Sequence, residues 1–161
     1  MNAIFRGALT IAAASLLGTT PAMAQPNGGL TSRVELEKLV PAADGAEATK
    51  TYTEPKVVVP GDRIRITLTF TNGGTAPATG LVFTNSIPPG VVFDGTDDLA
   101  DFSVSVDDAK TFGPLAALTL TIANEAPRAA TMADVTHVRW TWSTAVEPQQ
   151  QRSVAFFGRV K

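Results

Sequence analysis

The residues of this 161-residue sequence best suited to bind a ligand are the aspartates of one short loop. Asp94, Asp97, Asp98 and Asp101 all lie within the stretch DGTDDLAD. Calcium prefers several oxygen ligands, and loops between strands can provide them. The spacing differs from that of an EF-hand, so a calcium site is one hypothesis. The other, which the pattern favours, is a solvated loop whose charges keep a sheet edge soluble.

Candidates for catalysis are sparse. His137 is the single histidine and could join Asp134 in a Ser-His-Asp arrangement, but no nucleophile-elbow motif presents a serine. Glu35 and Glu37 could in principle run glycoside hydrolysis, although such a pair is ordinary on an exposed strand. One histidine and no cysteine disfavour zinc. We therefore expect a protein that is not an enzyme, with no catalytic or cofactor-binding residues.

Aromatic residues near the end of the sequence offer a third kind of site. Trp140 and Trp142 could form a carbohydrate platform if one of them faced outward. Both share the strand parity of Val138, which favours packing in the core. Phe157 has the opposite parity to Phe156, so an exposed Phe157 would be a modest handle for a protein partner.

The N-terminus has the pattern of a secretory signal peptide. Met1–Arg6 carries one positive side chain, Gly7–Leu17 is small and apolar, and Ala22–Ala24 matches the small-residue cleavage pattern. The apolar run is shorter than the ~20 residues that span a bilayer. The pattern predicts cleavage after residue 24, a flexible lead over residues 25–33, and export to the periplasm, the cell surface or the medium.

Charge and composition narrow the range of partners. Loss of Arg6 lowers the Lys+Arg count from 13 to 12 against 15 acidic residues, so the exported chain has a net charge of −3. That balance disfavours nucleic acid and anionic membrane surfaces. No later apolar run is long enough to span a membrane. Since the sequence has no cysteine, we expect a soluble domain held together by its core alone.

Alternating apolar and polar residues predict the fold. The clearest strand is Ile64–Thr71, with four apolar residues on one face and four polar ones on the other. A hairpin is predicted from Val34–Val40 and Thr49–Thr53, around the turn signal Asp44–Gly45. Further strands are predicted at Leu81–Ile87, Phe102–Val106, Leu115–Ile122, Val138–Trp142 and Val154–Val160. Without helices to connect parallel strands, residues 34–161 should form one antiparallel, immunoglobulin-like β-sandwich of about seven to nine strands.

Several turn and core motifs resemble those of a known bacterial family. They are Val59–Asp62, Thr69–Gly74, Ile87–Val91, Val138–Thr141, Glu147–Pro148 and Ser153–Phe156. Together they are similar to the conserved-repeat domain of unknown function that occurs in exported and cell-surface proteins. The resemblance covers residues 34–161 and implies an immunoglobulin-like module of the outer surface. Because these residues shape the scaffold, they indicate a fold and leave the activity open.

Two functions remain as expectations. The first is a non-enzymatic module with a structural or protein-interaction role at the cell envelope, with protein partners or self-association through sheet edges. The second is a periplasmic or extracellular module that binds calcium or a small ligand through the loop Asp94–Asp101.

Overall fold

The computed structural model describes residues 28–41, 48–122 and 126–161. Within those ranges the chain forms ten strands and two short 3₁₀ helices, Leu115–Ala117 and Met132–Asp134. The strands are β1 (Gly28–Val40), β2 (Thr49–Thr53), β3 (Arg63–Asn72), β4 (Leu81–Ser86), β5 (Val91–Phe93), β6 (Phe102–Ser105), β7 (Thr119–Leu120), β8 (Arg128–Ala129), β9 (His137–Trp142) and β10 (Gln151–Val160). The predicted signal peptide, residues 1–24, lies outside the described residues.

Two antiparallel sheets form the body of the domain. The larger sheet has the order β2-β1-β3-β10-β5, and the smaller one has the order β4-β9-β6. β7 and β8 form a separate two-stranded ribbon. Every strand pair in the described ranges is antiparallel, so the predicted all-β fold with antiparallel sheets is confirmed, and its two sheets are consistent with a sandwich. The count exceeds the predicted seven to nine because β5 and the two-residue β8 were not predicted.

β3 owes its central position to its alternating sequence. Ile64, Ile66, Leu68 and Phe70 are each at most 5% exposed, while the residues between them face the other side. Full burial of such side chains stabilises the fold by roughly 1.5–3 kcal/mol each. The predicted role of this strand as the anchor of the core is confirmed.

Aromatic pairs show how the two sheets are stacked. Phe70 of β3 contacts Phe83 of β4, with ring centroids 5.7 Å apart. In the same way Phe156 of β10 lies 6.4 Å from Trp140 of β9, and Phe93 of β5 lies 6.0 Å from Phe102 of β6. The smaller sheet therefore covers β3, β10 and β5 and stops at β4. β1 and β2 extend beyond it.

The predicted first hairpin is confirmed, and the structure gives its register. β1 and β2 pair from Leu36 opposite Thr53 to Val40 opposite Thr49. The turn signal Asp44–Gly45 lies outside the described residues. β1 begins earlier than its alternation indicates, since Gly28 already pairs with β3. Residues 28–33 of the predicted lead are thus part of the sheet, while residues 25–27 lie outside the described ranges.

One predicted strand, Leu115–Ile122, is wrong over most of its length. Leu115–Ala117 forms a single 3₁₀ turn after Pro114, in which Ala117 N donates to Pro114 O at 2.9 Å. Only Thr119 and Leu120 pair as a strand. Leu115, Leu118 and Leu120 still pack against the core, so burial rather than strand pairing accounts for the apolar pattern.

Candidate interaction surface

One side of β1 has no strand partner among the described residues over much of its length. β3 pairs with β1 from Gly28 to Leu36, but β2 pairs only with Leu36–Val40. The unpaired side of Gly28–Glu35 is termed the β1 free edge. An unpaired row of N–H and C=O groups can accept another strand, and proline, bulges or charged side chains commonly prevent this. The sequence GGLTSRVE has no proline and only one outward-facing exposed charge, Arg33.

The direction of the main-chain groups on this edge follows from Asn72, which lies opposite Gly28. Asn72 N donates to Gln150 O at 3.0 Å, and Asn72 O accepts from Gln149 N at 2.8 Å. Both groups are thus used on the β10 side, which makes Gly28 and Asn72 a non-hydrogen-bonded pair. Because hydrogen-bonding groups alternate along a strand, the N–H and C=O groups of Leu30, Ser32 and Val34 also point to the free edge.

Two apolar side chains are exposed beside the free edge. Leu30 is 55% exposed and Val34 is 41% exposed. Both lie on the core side of the larger sheet, opposite Phe70 and Ile66 of β3. They stay uncovered because the smaller sheet ends above β3. An added strand would therefore gain main-chain hydrogen bonds and two apolar contacts together.

Ion pairs on the outer face attach β1 firmly to β3. Glu35 lies opposite Arg65 in the ladder and is only 5% exposed. Arg65 donates to one Glu35 oxygen from Nε at 3.1 Å and from Nη2 at 2.6 Å. Arg33 approaches the other Glu35 oxygen at 3.4 Å. The free edge is thus held in place by a nearly buried carboxylate.

A second set of contacts attaches the β1–β2 hairpin. Glu37 accepts from Arg63 Nη1 at 2.6 Å and from the Tyr52 hydroxyl at 3.2 Å, while the Arg65 guanidinium lies 3.5 Å from the Tyr52 ring centroid. Burial, followed by the neighbouring Glu37 carboxylate, raises the pKa of Tyr52. Burial alone would lower the pKa of Arg63, but hydrogen bonds to Asp94 and Glu37 outweigh it and raise that pKa.

Two sequence interpretations are corrected on this face. Glu35 and Glu37 were predicted on an exposed strand, yet their side chains are only 7% and 9% exposed. Phe157, which would have been a modest handle for a partner if exposed, is only 3% exposed, and the Arg63 guanidinium lies 3.9 Å above its ring. Arginines alternating along β3 and glutamates alternating along β1 are the signal that could have predicted these pairs.

The acidic loop Asp94–Asp101 forms ion pairs and hydrogen bonds with residues of neighbouring strands. Asp94 accepts from Arg63 at 2.7 Å and from Arg159 at 3.1 Å. Asp98 accepts from Ala155 N through its carboxylate at 2.7 Å and from Trp140 Nε1 through its carbonyl at 2.8 Å.

The other two aspartates of the loop make no such side-chain contact with the residues that the structure describes. Asp101 has a positive φ of 58° and accepts from Thr141 N through its carbonyl, while Asp97 is exposed. In the described ranges no three His, Cys, Asp or Glu residues are grouped so as to hold a metal ion.

The other candidate residues also have structural contacts. His137 Nδ1 lies 3.1 Å from the Thr136 hydroxyl, and Asp134 binds Arg128 and caps the second 3₁₀ helix through Thr131. Trp140 and Trp142 are 0% and 1% exposed, which confirms their place in the core. In the part of the chain that the structure describes, no helix is long and apolar enough to cross a membrane.

Comparison with known proteins gives no relative from which a function could be transferred. No family model, no curated protein and no solved structure matches this chain. Any statement about function therefore rests on the residues themselves.

Proposed function

We propose that this protein is an exported, non-enzymatic, immunoglobulin-like module that binds other protein chains at the cell envelope or surface. The observation that carries the proposal is the β1 free edge. It presents unpaired main-chain groups next to two exposed apolar side chains, which is the surface that strand addition uses.

The rigidity of this edge supports the proposal. An edge strand that had to become ordered on binding would lose affinity to conformational entropy. Here the ladder with β3 and the nearly buried Glu35–Arg65 pair already hold the strand extended. An incoming strand would therefore bear only its own ordering cost.

The cellular location is proposed from the sequence. Residues 1–24 have the pattern of a signal peptide, and the turn and core motifs of residues 34–161 resemble a domain of exported and surface proteins. Two antiparallel sheets stacked over an aromatic core agree with an immunoglobulin-like module. The envelope is thus where we expect its partners.

Binding of calcium or a small ligand through the acidic loop has less support. The carboxylates of Asp94 and Asp98 already accept hydrogen bonds from Arg63, Arg159 and Ala155. These bonds engage the Oδ2 atom of each carboxylate, so a calcium ion would have to share the group with a guanidinium or a main-chain N–H.

Site-specific photo-crosslinking in the producing cells tests the proposal. A photo-reactive residue at exposed Thr31, on the free edge, should crosslink to protein in the envelope fraction, whereas one at exposed Val82 on β4 should not. Adding Ser32→Pro should abolish the Thr31 crosslink, since proline removes an edge-facing N–H. A Thr31 crosslink unchanged by Ser32→Pro, or none at all, would rule out strand addition at this edge.

A further inference from the structure

The two exposed apolar residues of the β1 free edge, Leu30 and Val34, lie symmetrically about Ser32. We propose that the chain which adds to this edge is a second copy of the same protein, bound antiparallel through Gly29–Glu35 in a register centred on Ser32. This inference rests on the proposed function and names the partner of that surface. The assembly would be a dimer with a two-fold axis through the Ser32 pair.

The apolar side chains support this register. With Ser32 opposite Ser32, Leu30 of each copy faces Val34 of the other. Directly opposed side chains of antiparallel strands lie about 4.5–5.5 Å apart, so the two exposed apolar residues of each copy would cover those of its mate. Since both side chains lie on the core side of the sheet, the contacts would form one apolar strip beside β4.

The main-chain groups fit the same register. Leu30, Ser32 and Val34 point their N–H and C=O groups to the free edge, as the bonding of Asn72 shows. A centre on Ser32 places each of these residues opposite another of the three. All three would therefore form hydrogen-bonded pairs with the second copy, as an antiparallel ladder requires.

The outer face adds no repulsion between directly opposed residues. Arg33 would face Thr31, and Glu35 would face Gly29, so no two like charges are opposite each other. Glycine opposite Glu35 leaves room for the carboxylate, which Arg65 holds against β3. An unrelated strand would need this arrangement by chance, whereas a second copy supplies it by symmetry.

The interface is small, so the dimer should be weak. A single added strand buries less than the roughly 1,200 Å² below which interfaces tend to be transient. Sedimentation equilibrium of the protein as the cell produces it, from about 10 µM to about 1 mM, covers the affinity expected of such a contact. The expected result is a reversible monomer–dimer equilibrium. A strict monomer up to the highest concentration would overturn the inference.

Two charged double variants test the register without touching the core. L30K/V34K places lysine opposite lysine twice, and association should fall at least tenfold. L30K/V34E places lysine opposite glutamate twice, and association should recover to within about threefold of the original. Both variants alter only exposed side chains. Equal loss of association in both would overturn the register and with it the inference.

A backbone variant gives an independent check. Ser32→Pro should abolish the dimer but leave the melting temperature nearly unchanged, because the Ser32 N–H points away from β3. Ser32→Ala keeps this N–H and should still form the dimer. Dimerisation that survives Ser32→Pro would contradict the inference. A strict monomer in solution whose Thr31 crosslinks in the envelope to a different protein would overturn the second copy but leave the proposed function intact. A monomer with no crosslink would overturn both.

Discussion

Glu35 and Arg65 lie opposite each other on β1 and β3 and form a nearly buried ion pair, with Arg65 Nη2 2.6 Å from Glu35 Oε2. This pair joins the strand that carries the free edge to the strand that anchors the core. The position of the edge therefore depends on a polar contact outside the hydrophobic core.

Removal of this carboxylate should destabilise the domain. Glu35→Ala leaves Arg65 without its acidic partner, and a buried charge left unpaired is costly. Since the Arg65 side chain is 29% exposed and water can screen it, we expect a loss of about 1–3 kcal/mol in the free energy of unfolding. Urea denaturation measures this. Glu54→Ala removes an exposed glutamate, and an equal loss there would contradict the role of the pair.

Phe157 should matter for stability even though it lies outside the space between the sheets. Its ring is 3% exposed beneath Arg63, so Phe157→Ala should cost about 2–4 kcal/mol. Phe157→Leu keeps most of the apolar volume and should cost less than half as much. Thermal and urea unfolding compare the two variants. A loss below about 0.5 kcal/mol for the alanine variant would indicate an exposed ring.

The acidic loop provides a matched pair of variants. Asp98→Ala removes the acceptor of the Ala155 N–H and should lower the free energy of unfolding by about 1–2 kcal/mol. Asp97→Ala changes an exposed residue and should stay within about 0.5 kcal/mol of the parent. Tryptophan fluorescence should shift only in the Asp98 variant, because loss of the bond from Ala155 N lets the Asp98 main chain move, and its carbonyl accepts from Trp140 Nε1. Equal losses of unfolding free energy in the two variants would show that the loop stabilises the fold through its total charge and not through the Asp98 hydrogen bond.

The carboxylate of Asp134 predicts a pH dependence of stability. Hydrogen bonds from Arg128 and then Thr131 hold its pKa well below the ordinary value of 3.8. A pKa lowered by folding adds stability above the unfolded value, and this is lost as pH falls toward the folded pKa. Asp134→Asn should therefore melt below the parent at pH 7, and the gap should begin to narrow as the pH falls below about 5 and go on narrowing through about pH 3. Asp108→Asn, at an exposed position, is the control. A gap independent of pH would contradict the assignment.

The core was predictable from the sequence because it depends on alternation within single strands. Ile64–Phe70 and Val138–Trp142 each carry their own pattern of burial. The contacts on the outer face of the larger sheet were not predictable, because the burial of Glu35 and Phe157 depends on which strands are neighbours in the sheet. Arg65 and Arg63 cover these residues from β3 only once the order β1-β3-β10 is set. The start of β1 was missed for a similar reason, since main-chain pairing with β3 needs no apolar alternation.

The candidate interaction surface was also hard to predict from the sequence, because it too depends on the strand order. Sequence patterns drew attention to carboxylates and to His137, and the fold uses the side chains of Asp94, Asp98 and His137 for structural contacts. The β1 free edge has no such signal, because an unpaired strand edge is a property of the sheet order. Only the exposure of Leu30 and Val34 makes it visible.

Amide hydrogen exchange at the free edge tests the central claim most directly. The N–H groups of Leu30, Ser32 and Val34 should exchange quickly in dilute protein and become protected together as the concentration approaches about 1 mM. Those of β4, at the edge of the smaller sheet, should not change. Protection confined to the three β1 amides and lost in L30K/V34K is the predicted result. Exchange at these amides that does not depend on concentration would contradict pairing through the β1 free edge.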